Sequence, residues 1–153
     1  MLRKNFHDAK LNNDVEHGYH AISIDEKRKD FPPCLWEEDN IHHGQIIEQV
    51  WFAGVHADVG GWYDERGLAN ISLHWMLQKA LGCGMLLDEV ALKQYIEDPY
   101  DIQHEEYKGF WKFRGSHVRI IPDGSSIHIS VKKRLDKGDY KPDNFPNNPT
   151  YVG

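Results

Sequence analysis

The clearest feature of the hydrophobic pattern is a short apolar run, QIIEQVWFAG, which lies between Gly44 and Gly54. A nearly continuous apolar run of this length is typical of a strand that is buried on both faces of a parallel sheet. A surface helix would instead show apolar positions at a spacing of three and four. The run therefore predicts a buried parallel strand that ends just before the loop VHADVGG.

Helical spacing is clearest in the segment LANISLHWMLQKALGCG, which begins at residue 68. Asn70 is the predicted N-cap and Gly82 the predicted end of this helix. The predicted buried stripe consists of Leu68, Ile71, Trp75 and Met76. A second helix is predicted from Met85 to Asp98, because Pro99 cannot continue it.

The hydrophobic pattern is less distinct in the segments before the apolar run and after the second predicted helix. Residues 15–28 are predicted to form a helix with Val15, Tyr19 and Ile22 on one stripe, and a short strand over 21–24 is the competing prediction. The segment SHVRIIPDGSS predicts a strand that runs into a turn. The following SSIHISVKKRL favours a short helix capped by Ser125 or Ser126 over a return strand.

The order of these elements predicts the fold class. A strand, a loop and a helix in succession form an α/β unit with a parallel sheet and flanking helices, but too few strands are evident for a complete sheet. With 153 residues the chain fits a single domain. We expect residues 1–136 to form it and residues 137–153, rich in Pro and Asn, to be an irregular tail that packs through Tyr140 and Phe145.

Composition excludes several classes of function. The net charge of -6 argues against a nucleic-acid partner, since that binding depends on basic residues that neutralise phosphates. No window approaches the roughly 18 apolar residues of a transmembrane segment, and the N-terminus lacks the apolar core of a signal peptide. Cys34 and Cys83 do not form a CxxC pair. We therefore expect a chain that is cytoplasmic at synthesis, with no cofactor and no metal.

The candidate chemistry lies just after the predicted strand. His56 follows its carboxyl end, where functional groups gather in open α/β sheets, and imidazole suits proton transfer near neutral pH. Gly54, Gly60 and Gly61 allow turns with positive φ and close approach of a ligand. Asp58 is near enough in sequence to orient the ring or to bind a metal. A purely structural histidine is the alternative at this point.

Several motifs in the right order carry a family resemblance. They are YHAISIDEKRKDF, VWFAGVHADVGGWY and LANISLHWM, with FHD at Phe6–Asp8 before them and IHISVKKRL and YKPDNFP after them. They resemble a bacterial α/β-hydrolase family that includes the phospholipase effectors of type VI secretion. Its members carry a HALxxDExRxxF segment, then a WFxGVHSDVGGGY-like motif, then a helix of the LSDxSLxWM kind.

The resemblance implies a serine hydrolase of lipid esters that works by a Ser-His-Asp triad. His56 matches the family's histidine, which would take the proton of the serine and return it to the leaving alcohol. His20 matches the histidine of the HAL segment; a supporting role at the site is one expectation for it, and a hydrogen-bonded core position is the other. Asp58 is likewise supporting or turn-forming, because the family's acid comes from another segment. Asp25, Glu26 and Arg28 match the DExR segment and are expected to form an ion-paired scaffold rather than to take part in the chemistry.

The nucleophile is the missing part, because no GxSxG elbow occurs in the sequence. In the family both the elbow and the acid segment would lie upstream of Met1. The resemblance therefore predicts the C-terminal part of a hydrolase domain, inactive alone. It is a fragment, the product of a split gene, or the partner of an N-terminal chain that carries the nucleophile. It is also compatible with secretion without a cleaved signal peptide. Two residues depart from the family pattern: Ala57 replaces a serine, and Trp62 replaces a glycine, so the loop is expected to be reshaped or the acyl entrance narrowed.

Two alternatives stay open at this point. One is a metal site built from His56 and Asp58 with His17, His20 or His42, since imidazole and carboxylate are suitable ligands. The other is a non-catalytic remnant or interaction module that keeps the packing of the hydrolase and exposes a sheet edge.

Overall fold

The computed structural model describes residues 9–39 and 41–153, and the FHD motif lies outside them. Its sheet has four strands, all parallel, in the order β1-β2-β3-β4. The strands are β1 His17–Ser23, β2 Ile46–Phe52, β3 Ser126–His128 and β4 Thr150–Val152. The helices are α1 His56–Gly60, α2 Gly67–Gly82, α3 Glu89–Leu92, α4 Trp111–Arg114 and α5 Ile129–Lys137. The α/β prediction with a parallel sheet and flanking helices is confirmed.

The β2 strand forms the centre of a core with two sides. Because successive side chains of a strand point to opposite faces, Val50 and Phe52 pack on one face and Trp51 on the other. The first face is covered by α2 through the buried Trp75. The second face is covered by a cluster that includes Ile127. Burial on both faces explains why β2 is nearly continuously apolar, as predicted.

The β1 strand corrects the prediction of a helix over residues 15–28. It pairs with β2 in parallel from His17 opposite Ile46 to Ser23 opposite Phe52. The competing strand prediction at 21–24 had the right element type but was too short. The helical stripe was accidental: the pairing with β2 supplies backbone hydrogen bonds and burial that outweigh local spacing.

The α2 helix is confirmed, and it ends at Gly82 as predicted. Its N-cap is Arg66 rather than Asn70, so the helix begins about one turn earlier. Asn70 is buried within the helix, where its side-chain amide donates to the carbonyl of Ile96 at 2.8 Å. The predicted stripe faces the core, with Leu68, Ile71 and Trp75 buried and Met76 packed against them.

Two predicted elements are shorter than expected or absent. Between Met85 and Asp98 only α3 is helical, because exposed side chains such as Leu86 and Val90 have no core surface to cover. The segment SHVRIIPDGSS forms no strand beyond a single bridge between Arg28 and Ser116. It does end in the predicted turn.

The last part of the chain combines both predictions for SSIHISVKKRL. Residues 126–128 form the β3 strand, and α5 follows directly with His128 as its N-cap instead of Ser125 or Ser126. In the tail Tyr140 is buried and Phe145 packs against the same cluster. Its last residues form β4, so the tail is not irregular throughout. In the part of the chain that is described, no helix has the length and apolarity needed to cross a bilayer.

Candidate active site

The turn between β2 and α1 places His56 at the carboxyl end of the sheet. Gly54 has a φ of 106°, and His56 is the first residue of α1. A Cβ atom on Gly54 would lie 2.5 Å from the Cβ of Asp58, so only glycine fits this turn. The apolar strand and the glycine turn together fix the position of His56.

A buried carboxylate holds the imidazole. Nδ1 of His56 lies 2.6 Å from Oε2 of Glu26, whose side chain has no exposed surface. Glu26 follows the end of β1 as His56 follows the end of β2. Because neighbouring parallel strands end at the same edge of the sheet, the two side chains meet there although they are far apart in sequence.

Arg28 completes the environment of this carboxylate. Its Nε lies 2.9 Å from Oε1 of Glu26, and its Nη2 lies 2.8 Å from Oε2, a bidentate pair. Burial acts to raise the pKa of Glu26, but hydrogen bonds from Arg28 and His56 outweigh it and lower that pKa to about 2. Glu26 is therefore ionised at neutral pH and accepts hydrogen bonds only.

The charge of Glu26 fixes the tautomer of His56. Since the carboxylate only accepts, Nδ1 of His56 carries the proton and donates it. Arg28 Nη2 also lies 2.8 Å from Nδ1, but both atoms are then donors and the contact is not a hydrogen bond. In the neutral ring Nε2 keeps its lone pair, and it makes no hydrogen bond to any of the described residues. The ring stacks on Phe31 with centroids 4.9 Å apart.

His56 lines a cavity of about 480 Å³. His20, Gly60 and Gly61 line the same cavity, so the structure brings these predicted site residues together. The β1 strand forms one wall, and the apolar part of the lining comes from Val59, Leu73 and Met76. The ring of His20 lies 3.3 Å from the amide oxygen of Gln49 and packs against Trp36. The site therefore combines a proton acceptor with an apolar space next to it.

Asp58 and Gly54 do not line this cavity. One oxygen of Asp58 accepts from the Val55 backbone at 2.9 Å, and the other lies 2.7 Å from Nδ1 of His104. Asp58 thus caps α1 and faces His104, so the possibility that it orients His56 is wrong. Of the three glycines, Gly54 and Gly61 have positive φ, whereas Gly60 is helical, which corrects the expectation for Gly60.

The hypothesis of a metal site lacks its ligand cluster. Asp58 is directed to His104 instead of His56. Within residues 9–39 and 41–153, no group of three or more His, Cys, Asp or Glu side chains could hold a metal ion.

Two serines line the cavity, yet neither bonds to His56. The hydroxyl oxygen of Ser72 lies 2.6 Å from the carbonyl of Val59 and 2.9 Å from that of Ala69, and these two acceptors share its single proton. The hydroxyl of Ser23 accepts from Arg119 at 2.7 Å. Both hydroxyls are thus engaged by the scaffold.

The loop after α1 departs from the sequence expectation. Trp62, which replaces a family glycine, is 85% exposed and is not part of the cavity lining. Its φ is not positive, since Asn148 is the one non-glycine with positive φ among the described residues. Trp62 therefore contributes no surface to the lining of this cavity.

Sequence reasoning missed the contact between Glu26 and His56. Glu26 was expected only as part of an ion-paired scaffold, and its pair with Arg28 confirms that part. Asp25, the third member of the predicted scaffold, instead accepts hydrogen bonds from the Gly54 backbone and the Tyr140 hydroxyl. A signal was present: had β1 been recognised as a strand next to β2, the residues just past both ends would have been expected to meet.

The fold and the site define an α/β protein with a histidine and a carboxylate paired where two parallel strands end. A family model described as "T6SS, Phospholipase effector Tle1-like, catalytic domain" matches residues 1–79, which include both members of that pair. The chain belongs to this family of type VI secretion phospholipase effectors. No curated protein and no solved structure matches the chain.

Proposed function

We propose that His56 is the general base of a serine hydrolase that cleaves phospholipid esters, and that Glu26 holds its ring. The observation that carries this proposal is the 2.6 Å contact between Glu26 and Nδ1 of His56, which leaves Nε2 as the proton acceptor. The family match supports the choice of phospholipid as the substrate class.

In the proposed reaction, Nε2 takes the proton of a serine hydroxyl as its oxygen attacks the ester carbonyl. The imidazolium that forms carries the proton to the leaving alcohol, and the ester bond breaks. A water molecule then gives a proton to Nε2 and attacks the acylated serine. The serine oxygen takes the proton back as its ester bond breaks, and the fatty acid is released. Glu26 stays ionised throughout and stabilises the imidazolium. The apolar side of the cavity suits an acyl chain.

The nucleophile, in this proposal, comes from a segment other than these residues. The sequence contains no GxSxG elbow, and the hydroxyls of Ser23 and Ser72 are already engaged. Among the described residues β1 pairs with β2 alone, so its other edge is free for a further strand. A parallel strand there would end beside the cavity, where a residue following it could reach Nε2.

It follows from this proposal that the chain provides the C-terminal part of the hydrolase domain, in which residues 137–153 pack with the rest through Tyr140 and β4. Alone it should be inactive. Release through type VI secretion is part of the same proposal. The free edge of β1 also favours a second candidate function, a non-catalytic module that binds another chain through that edge.

Labelling with a fluorophosphonate, which reacts with activated serines, tests the proposal. The chain is expressed alone and joined to the coding sequence that precedes Met1, and labelled peptides are identified by mass spectrometry. We expect a labelled serine in a GxSxG context in the joined protein, and loss of the label in its His56→Ala variant. Label on Ser23 or Ser72 of the chain alone would refute the external nucleophile, and label that persists without His56 would refute its role. If the joined protein takes no label but binds a separate copy of the chain, the second candidate function, a non-catalytic binding module, is favoured.

A further inference from the structure

The segment Lys108–Arg114, with the sequence KGFWKFR, has a composition unlike the rest of the chain. It holds three basic and three aromatic residues and no acidic residue, whereas the whole chain has a net charge of -6. The two acidic residues just before it are directed elsewhere. Glu105 pairs with Lys27 at 3.9 Å, and Glu106 pairs with Arg28 at 3.3 Å. Because Arg114 pairs with Asp30, the basic character of this segment rests on Lys108 and Lys112.

Apart from Trp111, the side chains of this segment are presented to solvent. Phe113 is 90% exposed and Phe110 is 67% exposed, and α4 has no buried residue. Lys108 and Lys112 are exposed and form no ion pair with the other described residues. Large exposed apolar rings are costly in water unless a partner covers them. Aromatic side chains that alternate with basic side chains without ion-pair partners are typical of segments that lie at a membrane surface.

The same segment adjoins the candidate active site. Trp111 points inward, with its ring centroid 5.5 Å from that of Phe31 and 5.0 Å from the guanidinium carbon of Arg28. Phe31 in turn stacks on His56. One aromatic ring therefore separates this surface from the imidazole, and a ligand held by the segment would lie close to the site.

We propose that Lys108–Arg114, here called the interfacial segment, docks the chain on the surface of a phospholipid bilayer with anionic headgroups. Phe110 and Phe113 enter the boundary between headgroups and acyl chains, while Lys108 and Lys112 contact lipid phosphates. The choice of lipid as partner rests on the proposed function. The docking itself requires no hydrolysis and no serine.

Vesicle flotation tests this proposal with the full chain carrying His56→Ala, so that no lipid is consumed. The vesicles consist of phosphatidylcholine alone or of phosphatidylcholine and phosphatidylglycerol in equal parts. We expect binding to the phosphatidylglycerol vesicles that weakens as salt is added. Phe110→Ser with Phe113→Ser, and separately Lys108→Glu with Lys112→Glu, should each lower the bound fraction about tenfold.

A matched control uses Val90→Ser with Lys93→Glu, an exposed apolar and basic pair at α3. It should change the bound fraction by less than about twofold, because singly exposed residues away from a docking surface contribute little. All these side chains are exposed, so unchanged circular dichroism is expected and verifies the fold.

Three results would overturn the proposal. The first is that the chain does not bind the anionic vesicles. The second is that the control and interfacial variants lose the same bound fraction. The third is that a single-stranded oligonucleotide displaces the chain from the vesicles and binds the Phe110 and Phe113 variant as well as the unchanged segment. The last would assign the segment to nucleic acid. Vesicle binding by a chain that takes no fluorophosphonate label in any context would uphold the docking surface and reject the triad, so the two proposals fail separately.

Discussion

Nδ1 of His56 lies 2.6 Å from Oε2 of Glu26, a carboxylate thirty positions earlier in the chain. The parallel register of β1 and β2 brings them together, because each residue follows the end of its own strand. The partner is buried and ionised, so it holds one tautomer of the ring and leaves Nε2 available. The position of a proton on one histidine thus depends on how two strands pair.

Replacement of Glu26 by glutamine should alter both stability and the tautomer of His56. The amide keeps the shape but removes the countercharge of the buried Arg28, so the free energy of unfolding should fall by about 3–5 kcal/mol. A glutamine amide can also donate to Nδ1, which favours the proton on Nε2. Urea unfolding measures the first effect, and long-range ¹H–¹⁵N NMR of the His56 ring measures the second.

Asp30→Asn is the matched control for that substitution. Asp30 also pairs with an arginine, Arg114, but both side chains are exposed to solvent. We expect neither a measurable loss of stability nor a change in the His56 spectrum, since exposed ion pairs contribute little. An unchanged His56 spectrum in Glu26→Gln would show that Glu26 does not hold the ring.

The turn before His56 predicts a contrast between two glycines. Gly54→Ala would place a Cβ 2.5 Å from Asp58 at a φ of 106°, so it should destabilise the fold by about 2–4 kcal/mol. A Cβ on the helical Gly60 meets no other atom within 4 Å. Gly60→Ala should therefore be neutral or slightly stabilising, because alanine favours helix more than glycine by about 1 kcal/mol. Thermal unfolding of the two variants measures this contrast. Equal losses of stability in both variants would contradict the turn geometry.

Burial of His128 predicts a dependence of stability on pH. Burial lowers the pKa of His128 to about 4 from its ordinary value of 6.5. Between these values the unfolded chain binds a proton that the folded chain does not, so the free energy of unfolding should decrease as the pH falls from about 6.5 to about 4. His128→Asn does not titrate and keeps a side chain that can cap α5. Its stability should vary less with pH across this window; parallel curves for the two proteins would reject the prediction.

The serines that line the cavity should be dispensable for hydrolysis. Ser72→Ala removes the one hydroxyl proton that the carbonyls of Val59 and Ala69 share, so the free energy of unfolding should fall by about 1 kcal/mol. Because its hydroxyl faces the scaffold, the rate of ester hydrolysis by the joined protein should change by less than about threefold. A drop of several orders of magnitude at unchanged fold would make Ser72 the nucleophile.

How far the sequence predicted the fold depends on where each segment derives its stability. The β2 strand was predictable because both of its faces are buried, and its composition records that burial. The β1 strand was not, because Val15, Tyr19 and Ile22 happen to match a helical spacing and only the pairing with β2 decides. The helix predicted over residues 85–98 is mostly absent for the opposite reason, because the apolar residues of this segment have no surface to pack on.

The candidate site follows the same division. His56 was predictable from its place after an apolar strand and from the family motif around it. Its partner was not, since Glu26 is contiguous with His56 only through strand register. The exposure of Trp62 was also outside the reach of sequence, because the backbone after Gly61 turns its side chain to solvent.

Phospholipid turnover by the chain alone and by the chain joined to the preceding coding sequence tests the central claim most directly, with His56→Ala measured in both. The account predicts no turnover by the chain alone. It predicts turnover by the joined protein that falls by about 10³-fold or more in His56→Ala, as when a triad member is removed. Turnover by the chain alone at the level of the joined protein, or turnover of the joined protein that survives His56→Ala, would contradict it.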